Sequence, residues 1–435
     1  MFSKLETING CRHVQKWAAE STTPVVEGDS GVENAHPTPA GGKRLTRVEI
    51  TDFDKQENRT LTRSSSILGL NGTGSCLAVD WVGRFLYWAE HEDGLAGTVV
   101  KRLDLNRMRS SPITIFARPN PILKIEVSPL DSMLYWVELE PNHLGKLMKS
   151  PSDGSNIQQF FSKSSTRRSR NVCNCPESPN VGATITLDQS SHLRTDPNKE
   201  PELRLIWVDS AQNHIYDADL SGCSCSLLVN TSVVGNAGLP PTSITADHKL
   251  VYWSNATEGR VYSLAKAPRR SSQPLQLAAD LTNGVTAFKA SGVRSIAAVG
   301  QHLQPYPVAR CLTPKEPGAA KMVNSTSDSI TLELPTPRRD KDCGNVSLAT
   351  VQFTVFYGVT TSADDTPTCL EDIKMCSFLK TFDRIVEVHG LQPYTNYSFF
   401  VAFENHYSEL QGLPLVLGPS AVIQTTPGGS PLRIF

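Results

Sequence analysis

A short phrase recurs along this 435-residue chain, and its recurrence limits the fold more than any local propensity does. The phrase is an apolar residue, a Tyr or Ile, a Trp, a small or β-branched residue, then Asp, Glu or Asn. Its copies are LYWAE (86–90), LYWVE (134–138), LIWVD (205–209) and VYWSN (251–255), and QKWAA (15–19) reads as a degraded first copy. Tyr87 and Tyr135 are 48 residues apart and Ile206 and Tyr252 are 46 apart. That spacing suits a four-stranded propeller blade, which takes about 40–50 residues. The longer gap between Tyr135 and Ile206 is absorbed by two loop-like stretches, 162–180 and 189–202.

Strands can be placed inside each copy. CLAVDW (76–81) predicts an inner strand, FLYWAE the second, TVVKRLDL (98–105) the third and ITIF (113–116) the edge. LKIEVS, MLYWVE, GKLMKS and IQQFF repeat the order. ATITLD, LIWVD, HIYDADL and SLLV follow, then TSITAD, VYWSN, GRVYSLA and LQLAA. RVEITDF and RTLTRSS, within 47–65, predict the third and fourth strands of a first copy, and GVTAFKA with SIAAVG (284–300) predicts the start of an irregular sixth. The expectation is an all-β chain opening with a six-bladed β-propeller. Trp suits the repeated position because its broad face fills the wedge between sheets and its indole N–H needs one acceptor.

The texture changes after Cys311. TVQFTVFYGV (350–359) alternates as a half-buried strand, and RIVEVHGLQPYTNYSFFVAFEN (384–405) reads as two strands joined by a corner. Leu391, Pro393, Thr395 and Tyr397 fit the L-x-P-x-T-x-Y tyrosine corner of a fibronectin type III sandwich. The expected domains are a start or insertion at 1–42, a propeller at 43–311, a fibronectin type III domain at 312–427 and a linker at 428–435.

Composition narrows the function. The formal net charge of −1 supplies no global field for nucleic acid or an anionic membrane, and the one dense basic run, RRSR (167–170), is local. No run of about 18 apolar residues exists to span a bilayer. The start MFSKLETINGC lacks the apolar run of a signal peptide, which by itself reads as cytosolic. Ten cysteines and seven Asn-x-Ser/Thr acceptors (Asn58, Asn71, Asn230, Asn255, Asn324, Asn345 and Asn396) read instead as a secretory origin. The chain is therefore expected to be a secreted-side segment whose signal and anchor lie outside it. Cys343, Cys369 and Cys376 are disulfide candidates, as are Cys173, Cys175, Cys223 and Cys225. The last four could instead hold zinc through four thiolates, but an oxidising compartment favours disulfides. Cys173 and Cys175 are expected to face Cys225 and Cys223 in antiparallel register, with room for one unstrained bond. Arg167 and Arg170 have the R-x-x-R spacing of a convertase site, against the plain reading of an uncut solvated loop.

No catalytic, cofactor or metal residue is expected. A calcium-dependent hydrolase would need oxygen ligands converging on the channel, from Glu90, Glu138, Asp209 and Asn255. Their place just after Trp suits structural turn bonds better. Phosphate loops, zinc-protease and hydrolase-elbow motifs and kinase signatures are all absent.

The YWAE, YWVE, IWVD and YWSN copies resemble the YWTD six-bladed propellers of lipoprotein-receptor-like proteins, and SIAAVGQHLQPYPVARC (295–311) is similar to the segment that closes them. A fibronectin type III domain following directly resembles the ectodomain of the Sevenless/ROS receptor tyrosine kinases. The sequence departs from the motif. Its Thr is Ala89, Val137, Val208 and Ser254; its Asp is Glu90, Glu138, Asp209 and Asn255; and Leu332 or Leu334 replaces a core Trp of many fibronectin modules. An irregular polar network is expected between the blades. The resemblance implies a glycosylated ectodomain on the extracellular face of the plasma membrane, joined to it by a segment absent from this chain. The implied partner is an extracellular or neighbouring-cell protein ligand. The alternatives are a structural or adhesion protein, or a lipoprotein-receptor-like binding module.

Overall fold

The computed structural model describes residues 25–26, 48–54, 59–65, 73–91, 97–107, 110–161, 173–176, 179–189, 203–234, 240–247, 249–255, 257–266, 285–289, 296–298, 303–360 and 376–428. It forms two compact units. The first is Met1–Trp81 with Phe85–Tyr306, and the second is Pro307–Phe435 with the turn Val82–Arg84. The break falls before Cys311 because that cysteine bonds Cys343 inside the second unit.

The first unit consists of antiparallel sheets. β1 (Val25–Val26) precedes the hairpin β2 (Val48–Asp54) and β3 (Arg59–Ser65). Four complete sheets follow in chain order. The second blade is β4 (Thr73–Asp80), β5 (Phe85–His91), β6 (Thr98–Asp104) and β7 (Ile113–Arg118). The third is β8 (Ile122–Ser128), β9 (Met133–Leu139), β10 (Gly145–Pro151) and β11 (Gln158–Gln159), and the fourth is β12 (Val181–Asp188), β13 (Arg204–Asp209), β14 (His214–Asp219) and β15 (Cys225–Asn230). The fifth is β16 (Ser243–Ala246), β17 (Leu250–Asn255), β18 (Arg260–Ala265) and β19 (Thr286–Lys289). The inner strands β4, β8, β12 and β16 lie side by side in that order, and β16 meets β20 (Ile296–Ala297). This is the expected six-bladed architecture, with blade one seen as β2–β3 and blade six as β1 paired to β20.

One expectation changes. The edge of blade five is TAFK (286–289), paired to β18 through Val261↔Phe288, and LQLAA lies outside the described residues. TAFK was expected to start blade six; its alternation fits either place, and only the pairing decides between them. Within the stretch expected to be a start or insertion, Val25 and Val26 pair with Ala297 and Ile296, so this strand belongs to the closing sheet.

The second unit is a two-sheet sandwich. β21 (Lys321–Ser325), β22 (Ser329–Glu333) and β25 (Ile385–His389) form one sheet, in the order β21-β22-β25. β23 (Gln352–Val359), β24 (Ser377–Thr381), β26 (Asn396–Glu404) and β27 (Ala421–Gln424) form the other, in the order β24-β23-β26-β27. A short helix, α1 (His406–Leu410), follows β26. Alternate residues of both sheets meet in the core, among them Ile330, Phe353, Val355, Phe399 and Val401. Leu332 and Leu334 are both fully buried where a Trp was the common choice. Tyr397 is 6% exposed and its hydroxyl accepts the Gln392 N–H at 2.9 Å, which is the corner expected from sequence. Among the described residues no helix is long and apolar enough to cross a membrane.

Candidate functional site

Successive residues of a strand point to opposite faces of its sheet, so a Tyr-Trp pair places one ring on each side of its blade. The packing follows this rule. Tyr87 packs towards Trp136 and Ile125 of the next blade, while Trp136 packs back against blade two, with its ring 4.8 Å from that of Phe116. Tyr135 and Trp207 repeat the arrangement between blades three and four, with Phe161 5.1 Å from Trp207. Ile206 and Trp253 repeat it between blades four and five, and Tyr252 packs against Ile296 of the closing sheet. The dipeptides of blades three, four and five thus tie their blades to both neighbours. Trp88, Trp136, Trp207 and Trp253 are all buried to within 2%. Only some of the indoles are satisfied: Trp88 Nε1 donates to Glu90 Oε2 at 2.8 Å, whereas the Trp136 and Trp207 Nε1 atoms have no acceptor among the described residues.

The second residue after the pair serves two different purposes. In blades two and three it is Glu. Glu90 takes the Trp88 indole and the Lys101 ammonium, and Glu138 takes a fork from Arg118 at 2.8 and 3.2 Å and the Asn120 amide at 2.9 Å. Arg118 lies on the edge strand of blade two, so this pair crosses between blades. In blades four and five the residue is Asp or Asn and caps a tight turn. Asp209 Oδ1 accepts from the Ala211 and Gln212 N–H groups, and Asn255 Oδ1 from those of Thr257 and Glu258. Four residues later each turn passes through a left-handed residue, Asn213 (φ 55°) or Gly259 (φ 60°). A short side chain reaches its own turn, and a longer one reaches the neighbouring strand. All four expected residues are therefore held in structural bonds. Among the described residues no group of three His, Cys, Asp or Glu is placed to hold a metal.

A second set of acids, not singled out from the sequence, sits at the other end of the repeat. Tyr252 donates to Asp247 Oδ2 at 2.9 Å and Tyr135 to Asp131 Oδ2 at 3.2 Å. Burial pushes the Tyr135 and Tyr252 hydroxyls above the ordinary phenol range, and the Asp131 carboxyl up as well. Burial, with Asp80 nearby, takes Tyr87 to about 12. The signal was present in VDW (Asp80), LDS (Asp131) and ADH (Asp247), where an Asp stands four to seven residues before the Tyr of the pair.

The rim of blade four carries two disulfides. Cys173 bonds Cys223 and Cys175 bonds Cys225, with Cα–Cα distances of 4.5 and 4.8 Å. This corrects the expected antiparallel pairing and the expectation of a single bond. The 173–175 segment runs parallel to 223–225, so like positions meet. Asn174 fixes the register: its N–H donates to the Cys223 carbonyl and its Oδ1 accepts the Cys225 N–H. Asp219 Oδ1 accepts the N–H groups of Cys223 and Ser224, and the buried Arg204–Asp217 pair donates on to the Ser224 carbonyl. Cys376 is also disulfide-bonded, and Cys369 lies outside the described residues. Cys343 bonds Cys311, which was not among the expected partners.

The acceptor asparagines separate by exposure. Asn324 and Asn345 are exposed and Asn396 and Asn230 are half-buried. Asn255 is 7% exposed and its Oδ1 accepts the N–H groups of its own turn. Asn58, Asn71, Arg167 and Arg170 lie outside the described residues.

Known proteins match this chain. The family described as "ROS1, fibronectin type III domain" matches residues 311–426. The proto-oncogene tyrosine-protein kinase ROS of Mus musculus is 25% identical over 347 residues, covering 78% of this chain and 13% of that protein. The Homo sapiens protein is 27% identical over 349 residues, covering 78% and 14%. The chain thus spans a small part of the length of these relatives. Among solved structures, a chain of the nidogen/laminin complex aligns at a TM-score of 0.37 and 14% identity, covering 70% of this chain and 94% of that one. A human fibronectin type III domain aligns at a TM-score of 0.20 and 15% identity, covering 28% and 94%. The matched fibronectin stretch contains the tyrosine corner, and over 78% of its length the chain is similar to the ROS tyrosine-protein kinases.

Proposed function

We propose that the chain is a ligand-recognising part of the extracellular region of a ROS/Sevenless-type receptor tyrosine kinase. One observation carries the reading: a propeller followed directly by a ROS-type fibronectin domain, with 78% of the chain matching ROS. The three disulfides of the described residues support an oxidising, extracellular or cell-surface setting. The repeat carboxylates hold the blades together, so recognition falls to the propeller loops and the fibronectin surface. The kinase activity of such a receptor belongs to a part of the protein outside this chain, as does its membrane anchor. Sequencing the full-length transcript tests the reading. The expected product continues into an apolar span of about 20 residues and V-A-I-K, H-R-D and D-F-G kinase elements. A reading frame that ends with neither would overturn the assignment.

A further inference from the structure

The sheet edge formed by β21 is unusual for a folded surface. Met322 and Val323 are each 56% exposed, and Lys321 is the only charge on the strand. The strand is the outermost of its sheet, and its pairing with β22 slips between Met322 and Asn324, leaving Val323 in a bulge. Its far end is met by β27 and the residues after it: Ser325 Oγ donates to the Gln424 carbonyl, and the Thr426 N–H to the Thr326 carbonyl. Those contacts begin at Ser325, after the apolar pair. An edge with exposed apolar side chains and open backbone groups is a template for pairing with another chain, and proteins guard such edges with charge, Pro, a bulge or a cover. Here the bulge is present and the charge is slight.

The next residue supplies a cover. Asn324 is exposed and begins the acceptor Asn324-Ser325-Thr326. It stands opposite Thr331, on the face of the sheet away from the buried Ile330 and Leu332. Met322 stands opposite Leu332 on the other face, so a group attached to Asn324 Nδ2 projects into solvent from the outer face, next to the bulged Val323. We infer that Asn324 carries an N-linked glycan and that this glycan is the guard of the β21 edge, keeping the fibronectin domain from self-association through that strand. The inference rests on the extracellular reading above, since the modification requires passage through the secretory route.

Asn345 gives the control. It is also exposed and lies in an acceptor, but on the turn after Cys343 and not on an edge strand. The full chain is secreted from mammalian cells behind a leader peptide, as wild type, Asn324→Gln, Asn345→Gln and Asn324→Gln with Met322→Lys. Glycopeptide mass spectrometry reads occupancy, and sedimentation velocity over a concentration series reads association. The expected result is occupancy at both sites, a monomeric wild type and Asn345→Gln chain, and self-association of Asn324→Gln at concentrations at least about tenfold lower. The added Met322→Lys should restore the monomer by placing a charge on the edge. Endoglycosidase trimming of the folded wild type should reproduce the association without any substitution, which covers a variant that fails to be secreted. An unmodified Asn324 beside an occupied Asn345, or a trimmed chain as monomeric as the untrimmed one, overturns the inference alone. Absence of glycan from every acceptor overturns it together with the extracellular reading.

Discussion

At the scale of single residues, the repeat shows that one sequence position can be buried equally deeply and yet satisfied differently. Trp88 and Trp136 occupy the same place, but Trp88 donates to Glu90 whereas the Trp136 indole N–H has no acceptor among the described residues. Replacing each by Phe keeps most of the apolar volume and removes the donor. For Trp136 the donor removed is an unmade one, so the loss should stay within about 1.5 kcal/mol. For Trp88 the loss should be larger by about 1.5–3 kcal/mol, the usual worth of a hydrogen bond to a charged group, because Glu90 stays buried with one partner fewer. Urea midpoints of the two variants, compared at equal slope, test this. Equal losses would show that the Glu90 bond contributes nothing. Trp136→Ala, which leaves a cavity between two blades, should cost about 3–5 kcal/mol and sets the scale.

At the scale of elements, the strands that repeat were legible and the segments that join them were not. LYWAE and its copies fix the second strand of four blades because both faces of that strand are buried, and a strand packed on both sides must carry large apolar residues on both. TAFK (286–289) resisted assignment because an edge strand carries little pattern of its own and is defined by its partner, here β18. The course of 173–175 was equally hidden: its direction beside β15 depends on the path of the preceding loop, and a C-x-C spacing reads the same in both directions. The parallel course has an energetic consequence. Both disulfides close nearly the same loop, each with a sequence separation of 50. In the chain-entropy model the first bond to close such a loop contributes about 4 kcal/mol, and the second adds only a small ring. Closing that small ring is worth about 2 kcal/mol in the same model, so changing Cys173 and Cys223 to Ser should cost about 2 kcal/mol, and so should changing Cys175 and Cys225. Changing all four should cost about 6 kcal/mol, more than the two pairs summed. Thermal unfolding of the three variants checks the pattern, and additive losses for the two pairs would mean that each bond acts by local packing instead of by loop closure.

At the scale of the whole molecule, the sequence displayed the two kinds of module plainly, because the aromatic pair and the tyrosine corner each require several residues at fixed offsets. It said little about how the propeller ring is finished, since closure rests on a strand of two residues with no motif. Val25 and Val26 pair with Ala297 and Ile296, so the sheet next to blade five is completed by chain from the opposite terminus. Such a closure joins the first and last parts of the ring, and without it β20 presents an open edge next to the buried Ile296. A chain beginning at residue 43 lacks this strand. It should still fold, since blades two to five hold their own interlocked cores, but its propeller should melt at least about 5 °C lower, the shift expected when a unit of this size loses roughly 2 kcal/mol. The fibronectin unit has its own core and its Cys311–Cys343 bond, so its fluorescence or exchange signature provides a reference within the same sample. Hydrogen exchange resolved by peptide should show lost protection at 296–297 first. An unchanged melting temperature, with Ile296 as protected as in the full chain, would place residues 1–42 outside the ring and leave its closure to other parts of the chain.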